Sequence, residues 1–403
     1  GSRRGSRCGS SWRSSATSST ATVTSACRVA AAPHVLVVGL GAAGSAAALT
    51  LARRGIRVTG LDRFRPPHPH GSSHGRSRVI REAYYESPVY VPLIRRAYEL
   101  WQALERDGGR PLLRPTGGLM LGPEGGPLVR GARHSAVEHG LPFELLDAAT
   151  IRRRFPAFHA PAGTVGVLEP RAGFLDPEAA IETSLTLAAR AGADLRFDVA
   201  VAGWRATASG IALDTSAGLL EADRVILTAG AWAPALLAGA SVPLSVERQV
   251  MYWFAPARPE GFAAGTLPVF IWEWEPGRLF YGIPDHGAGF KVAQHHGGEA
   301  TTADTVRRRV LPEEVAGMRQ LLRRFLPDAD GPPTDAVTCL YTNTPDHHFV
   351  LGAHPGDPRV ILGSACSGHG FKFATVLGEV LADLALTGRS SFDLTPFRPG
   401  RFG

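Results

Sequence analysis

The chain has 403 residues, 44% of them hydrophobic and 20% charged, enough for two domains with cores of their own and the balance of an ordinary soluble globular protein. Its formal charge of +7 suggests nucleic-acid binding until it is located: residues 1–33 hold Arg3, Arg4, Arg7, Arg13 and Arg28 and no acid, so the rest carries only about +2 and no nucleic-acid partner is expected. No apolar run approaches the roughly 18 residues of a membrane span, so no membrane partner is expected either.

Residues 1–33 are rich in Ser, Arg, Ala and Thr, without periodicity and without the apolar segment of a secretory signal. A disordered leader or tag is expected there, since such a composition cannot build a core. An organelle transit peptide has the same composition, so the expected location is cytoplasmic, with import the alternative if the leader is genuine. Cys8 and Cys27 lie in the leader and Cys339 and Cys366 beyond it; they form no disulfide framework and suit a reducing compartment.

The first structured segment is His34 to Asp62, HVLVVGLGAAGSAAALTLARRGIRVTGLD. Val35–Val38 is the continuous apolar run of a parallel strand buried on both faces. Gly39, Gly41 and Gly44 follow at G-x-G-x-x-G spacing, and small residues after them let backbone approach a pyrophosphate and helix pack on strand. The helix runs to Arg54 and stops at Gly55. A second strand, Arg57 to Leu61, ends in Asp62, whose carboxylate would reach a ribose hydroxyl. Strand, helix, strand and acid in register identify a dinucleotide site, but the fingerprint does not choose between FAD and NAD.

Next comes RFRPPHPHGSSHGRSRVIREAYYE, a polar loop. Loops at the carboxyl ends of parallel strands line the ligand crevice, so His74, Arg78 and Arg81 are candidates to face the cofactor; a solvated basic loop is the plain alternative. A helix containing Tyr90–Leu104 follows, then short strands and a helix over 114–158. Asp176 caps a helix from Pro177 to Ala191, and a strand near Asp194–Val199 precedes the buried strand Val225–Leu227 and its turn into helix at Thr228–Trp232. Within residues 246–340, Val250, Tyr252 and Phe254 alternate with Met251 and Trp253. Phe270, Trp272, Trp274, Phe280, Tyr281 and Phe290 read as strands of an antiparallel sheet, whose face either walls a pocket or fills a core. A strand at Val360–Leu362, a glycine-rich turn and a helix capped by Gly388 close the chain. The fold class is therefore α/β. A discontinuous Rossmann-like domain spans 34–113, 172–243 and 345–397, and a substrate domain on a largely antiparallel sheet spans 114–171 and 244–344.

Of 43 basic residues only Lys291 and Lys372 are lysines. Arginine takes nearly every position where positive charge is merely useful. The two exceptions mark places that need a compact ammonium with a tunable pKa, or are coincidence.

These residues resemble the monomeric sarcosine oxidase family, which includes N-methyltryptophan oxidase, within the wider glycine and D-amino-acid oxidase superfamily. The similarity covers nearly all of 34–397 and rests on PPHPHGSSHGRSRVIREAY, TAGAW, VERQV, VTCLYTNTPDHHFVLG and SGHGFKF. It implies FAD as the cofactor, held by Gly39, Gly41, Gly44, Asp62, Arg63, Ser72, His74, Arg78, Gly368, Gly370 and Lys372, with Cys339 joined through a thioether to the flavin 8-methyl, and no metal. It also implies that His74 and Arg78 pack near the flavin ring and that Arg81 and Lys372 hold a substrate carboxylate. Lys291 would be water-bridged to flavin N5 where oxygen is activated, and Tyr281, Tyr341 and His295 would surround the substrate amine. The implied reaction is oxidation of a secondary amino acid, N-methyl or cyclic, by O2, giving H2O2 and, from N-methyl substrates, formaldehyde. The implied partners are that small molecule and O2, with the protein a monomer. A dehydrogenase passing electrons to a quinone or carrier protein, and a non-catalytic flavin-binding accessory protein, are the alternatives. Ser73 replaces a histidine of the family pattern, Ile271 a pocket methionine, Glu275 reads as an insertion, and Trp272 and Trp274 are unusual neighbours; these departures bear on the substrate side chain.

Overall fold

The computed structural model describes residues 32–403 except Ala238 and Cys366. Cys8, Cys27 and Cys366, and all but the last two positions of the expected leader, lie outside the described residues.

His34–Val38 is a strand between two parallel neighbours, Arg57–Leu61 and Arg224–Leu227. Its apolar run is continuous because both faces are covered. Val35 and Val37 join a core with the helices Ala42–Arg53 and Ala374–Thr387, whereas Leu36 and Val38 join another that contains Ile211 and Leu213. The whole sheet has six strands, in the order Val350–His354, Asp357–Ser364, Arg224–Leu227, His34–Val38, Arg57–Leu61 and Asp194–Arg196. Neighbours are parallel except in the hairpin formed by the first two. Asp176 caps Pro177–Arg190, its Oδ1 accepting from Ala179 N at 3.0 Å, and Gly388 ends the last helix in a left-handed conformation.

A second sheet of nine strands draws them from 118–169 and 245–343. Its neighbours are antiparallel except where Val269–Glu275 lies beside Gly118–Pro123. Ser245–Phe254 pairs along its length with Pro333–Asn343 on one side and with Phe290–His295 and Glu299–Thr301 on the other. The fold is thus α/β, with a Rossmann-like sheet and a largely antiparallel one. Among the described residues no helix is long and apolar enough to cross a membrane.

Alternation along the second sheet sorts its side chains into two environments. Phe270, Trp272, Phe280 and Phe290 turn into a buried aromatic core with Phe158 and Phe325. Ile271, Tyr281 and Ala293, which face one another across three strands, line a cavity instead. Trp274 is the extra residue at a register slip between Glu273 and Glu275, a bulge that leaves the Ile271–Tyr281 pair undisturbed.

Three elements depart from expectation. Arg78–Ile80, inside what reads as a polar loop, is a strand paired with Gly173–Leu175, because its partner comes from far along the chain. Residues 114–158 contain two helices, Pro127–Glu138 and Ala148–Arg154, the second capped by Asp147. An amphipathic helix, Pro312–Phe325, buries Met318, Leu321, Leu322 and Phe325 where no helix was expected.

The aromatic core gives a direct test of this sorting. Phe280 is fully buried, with ring centroids 5.9 Å from Trp272 and 5.7 Å from both Phe270 and Phe325. Phe280→Ala is expected to cost about 3–5 kcal/mol, measured by denaturant unfolding; a loss under about 1 kcal/mol would mean that the ring is not part of a packed core.

Candidate active site

The carboxyl ends of the parallel strands and the face bearing Ile271, Tyr281 and Ala293 enclose a cavity of about 450 Å³, in the crevice position where open α/β sheets bind ligands. Gly39 and Gly41 line it, and Gly44 lies beneath the turn. A Cβ on Gly44 would stand 1.8 Å from the Gly39 carbonyl oxygen, so the helix can begin against the turn only if that position has no side chain. Thr228 locks the same carbonyl from the next strand, its Oγ1 donating at 2.8 Å. Asp62 also lines the cavity; its two oxygens accept from Leu40 N at 2.7 Å and Phe64 N at 2.9 Å. Arg63, another lining residue, is held by Asp304 at 2.7 Å, and Asp304 also accepts from Trp232 Nε1 at 3.1 Å. Nothing in the segment TTADT around Asp304 marks it in the sequence.

Cys339 is buried on Pro333–Asn343 and lines the cavity, its sulfur 3.7 Å from Arg78 Nη2 and 3.7 Å from the Ser72 carbonyl oxygen. Arg78 reaches it because the guanidinium is pinned by donation to the carbonyls of Ser72 and Ser77, each at 2.8 Å. Among the described residues the Ser72 hydroxyl is buried without a partner.

Arg81 and Lys372 come together at the same cavity, with a group that the sequence reading missed. Glu86 occupies Arg81: Nη2 lies 2.7 Å from each carboxylate oxygen, while the guanidinium rests over the rings of Tyr84 and Tyr85. Burial alone would raise the Glu86 pKa, but Arg81, His369 and Lys372 hold it below the usual carboxylate range. Lys372 donates to the His369 carbonyl at 2.8 Å. Burial, reinforced by Arg81 and opposed by Glu86, brings it down to about 7. The only sequence signal for Glu86 is its place in REAYYE, five residues after Arg81.

Tyr281, His295 and Tyr341 line the cavity, and His295 Nδ1 lies 3.2 Å from the Tyr341 hydroxyl. Burial pushes the Tyr281 phenol up to about 12 and drives His295 well below its ordinary value, so both are neutral. Gly368 and Gly370 are part of the wall, and a Cβ on Gly368 would meet the Tyr341 ring at 2.4 Å. Lys291 and His74 are not among the residues that line the cavity. Lys291 is wholly buried, its Nζ donating to the carbonyls of Gly75 and Ser77 at 2.7 Å each. His74 is buried with Nε2 unpartnered, and burial, then Arg78 and Lys291, lowers it to about 3.

A family model described as DAO, FAD dependent oxidoreductase, matches residues 34–384. The chain belongs to this family. Among relatives of this DAO-family chain, a monomeric sarcosine oxidase of Streptomyces avermitilis is 43% identical over 91% of the chain and 97% of the relative. An N-methyl-L-tryptophan oxidase of Salmonella dublin is 36% identical over 91% and 98%. The solved structure of NikD, an amino acid oxidase of nikkomycin biosynthesis, superposes with a TM-score of 0.78 at 27% identity, covering 91% of this chain and 96% of its own.

Membership of the DAO family makes the dinucleotide FAD, and the residues present fit it. The turn free of side chains admits a pyrophosphate at a helix N-terminus, Asp62 stands at the crevice wall, and the Ser72 hydroxyl has hydrogen-bonding capacity unused. Gly44→Ala must push the helix off the Gly39 carbonyl, and we expect it to cut the FAD bound per purified chain at least roughly tenfold. Flavin absorbance against protein absorbance measures this; wild-type occupancy would mean that the turn does not hold the cofactor.

Proposed function

We propose that the chain is an FAD-dependent oxidase of a secondary amino acid, N-methyl or cyclic, that requires the substrate's free carboxylate. The observation that carries this reading is the Arg81–Glu86 pair beside Lys372. A guanidinium already gripping a carboxylate in a buried cavity is chemically a carboxylate site, here filled from within the chain. The substrate carboxylate takes over Arg81 as Glu86 turns away, and the Lys372 ammonium supplies the second charge. His295 and Tyr341, both neutral, sit beside the substrate amine without offering a competing anion. The relatives named for sarcosine and for N-methyl-L-tryptophan support an N-methyl amino acid, and the first of these, named as monomeric, supports action as a single chain.

Bound FAD would supply the two-electron acceptor that turns the amine into an imine and the route of those electrons to O2, giving H2O2 and, after hydrolysis of an N-methyl-derived imine, formaldehyde. Cys339 would hold FAD covalently through a thioether to the 8-methyl carbon. In support, its sulfur lies in the cavity wall within reach of a fixed Arg78. Lys291 would act on oxygen as a buried positive charge next to a developing anion. A second reading, a dehydrogenase using a quinone or carrier protein, is favoured by one observation: Lys291 is bound to backbone and is absent from the cavity lining.

A peroxide-coupled screen of sarcosine, other N-methyl amino acids and cyclic imino acids against their methyl esters tests the carboxylate site. The acids should win by roughly a hundredfold in kcat/KM; equal rates for acid and ester would overturn the assignment. Because Lys372 is charged below about 7 and neutral above, a simple carboxylate such as acetate should perturb the flavin spectrum most tightly below that pH and progressively less above it. Attachment is tested separately. Acid-precipitated protein should stay yellow and Cys339→Ala should release its flavin into the supernatant, whereas wild-type flavin found wholly in the supernatant rules the linkage out.

A further inference from the structure

Among the described residues the Lys291 amino group has no side-chain acceptor: both its hydrogen bonds go to backbone carbonyls, those of Gly75 and Ser77. Something must aim those carbonyls inward. Gly75 and Arg76 both have positive φ, 103° and 66°, and an arginine held there needs an external restraint. The Ser77 N–H closes the turn on the Gly75 carbonyl at 2.7 Å, and the restraint from outside the turn is Glu178, in the first turn of the helix Pro177–Arg190. Its Oε1 accepts from Gly75 N at 2.6 Å and from Arg76 N at 3.1 Å, and its Oε2 from Arg76 N at 3.1 Å. A trans peptide is planar, with its N–H and C=O pointing opposite ways. The Arg76 N–H and the Gly75 carbonyl belong to one such plane, so Glu178 on one side turns the carbonyl toward Lys291 on the other.

We propose that Glu178 is a positioning residue for Lys291: acting through the Gly75–Arg76 peptide, it orients the Gly75 carbonyl of the cradle that fixes the ammonium, and it is a carboxylate of the charge cluster around it. This rests on the reading of Lys291 as the group that acts on oxygen. The groups facing Lys291 are Arg78, Arg76 with its ion-pair partner Asp335, Cys339, Glu178 and the neutral His74, with the Trp253 ring centroid 5.3 Å away. Burial drives the lysine toward the neutral amine and Arg78 and Arg76 push the same way, while Cys339 and Glu178 oppose them. Removing the Glu178 charge therefore makes Lys291 lose its proton at lower pH.

The chain's possession of only two lysines makes this measurable in the intact holoenzyme. Lysine labelled with carbon-13 at Cε gives two side-chain signals, and the one missing in Lys291→Met belongs to Lys291. In Glu178→Gln that signal should titrate about one pH unit lower, and reoxidation of the anaerobically reduced enzyme by O2 should slow roughly tenfold while reduction by substrate stays within about twofold. Adding Glu178→Gln to Lys291→Met should slow reoxidation no further, because the carboxylate acts only through the lysine. Glu178→Asp, which keeps the charge on a shorter arm, is the second variant should the glutamine form hold little flavin; it should move the titration less than glutamine does and still slow reoxidation selectively. A Lys291 signal that titrates unchanged, or a Glu178 variant that slows reoxidation further in the Lys291→Met background, overturns the proposal. If the signal shifts but Lys291→Met reoxidises at the wild-type rate, the cradle stands and the oxygen-activating reading of Lys291 fails.

Discussion

The contact on which the molecule depends is the one between Gly44 and the Gly39 carbonyl, where a helix begins directly against the end of a strand. Thr228 donates to the carbonyls of both Val38 and Gly39, tying the neighbouring strand's own turn to the same point. Two loops therefore leave the parallel sheet at one level, and the crevice between them can be lined by backbone instead of side chains. That is what a pyrophosphate needs, since the helix N-terminus then presents unpaired N–H groups to it. One methyl group at residue 44 would separate the helix from the turn and remove both features.

Around that crevice the chain buries more positive charge than its composition suggests. Arg78, Arg81, Lys291 and Lys372 crowd within one region, and burial of like charges is costly unless each is hydrogen-bonded or paired. Each has its own solution: Arg78 is pinned by two carbonyls, Arg81 by Glu86, Lys291 by a carbonyl cradle and Lys372 by the His369 carbonyl. The two lysines are driven toward neutrality while the arginines stay charged, which follows from the higher intrinsic pKa and wider charge delocalisation of guanidinium. A pocket built this way has fixed charges that orient an anion and titratable ones that respond to it.

The large sheet serves this site by being two-sided. Its aromatic core is dry and closely packed, and the strands that build it offer their alternate residues to the cavity. Mutations on the two faces should therefore separate cleanly into stability and activity effects, even at adjacent positions such as Phe280 and Tyr281. The bulge at Trp274 illustrates the tolerance of the arrangement, since the extra residue is absorbed beyond the last pair that matters to the pocket.

What the sequence determined by itself is whatever local spacing encodes. Strand, glycine turn, helix and Asp62 were legible because their chemistry lies within one short segment, and the caps at Asp176 and Gly388 because a cap acts on its own helix. Family-level motifs singled out Cys339, Tyr341 and Lys372, which line the cavity. The period of two in the aromatic strands was equally plain, but which face met the cavity depended on the register between strands, and register is a property of pairs. Tertiary structure alone decided that Glu86 holds Arg81, that Lys291 is held by the carbonyls of Gly75 and Ser77, and that Glu178 reaches back 103 residues to the amide of Gly75. Those contacts join irregular backbone to distant side chains. No periodicity records them, because their geometry exists only once the two sheets and the loop between them have closed on one another.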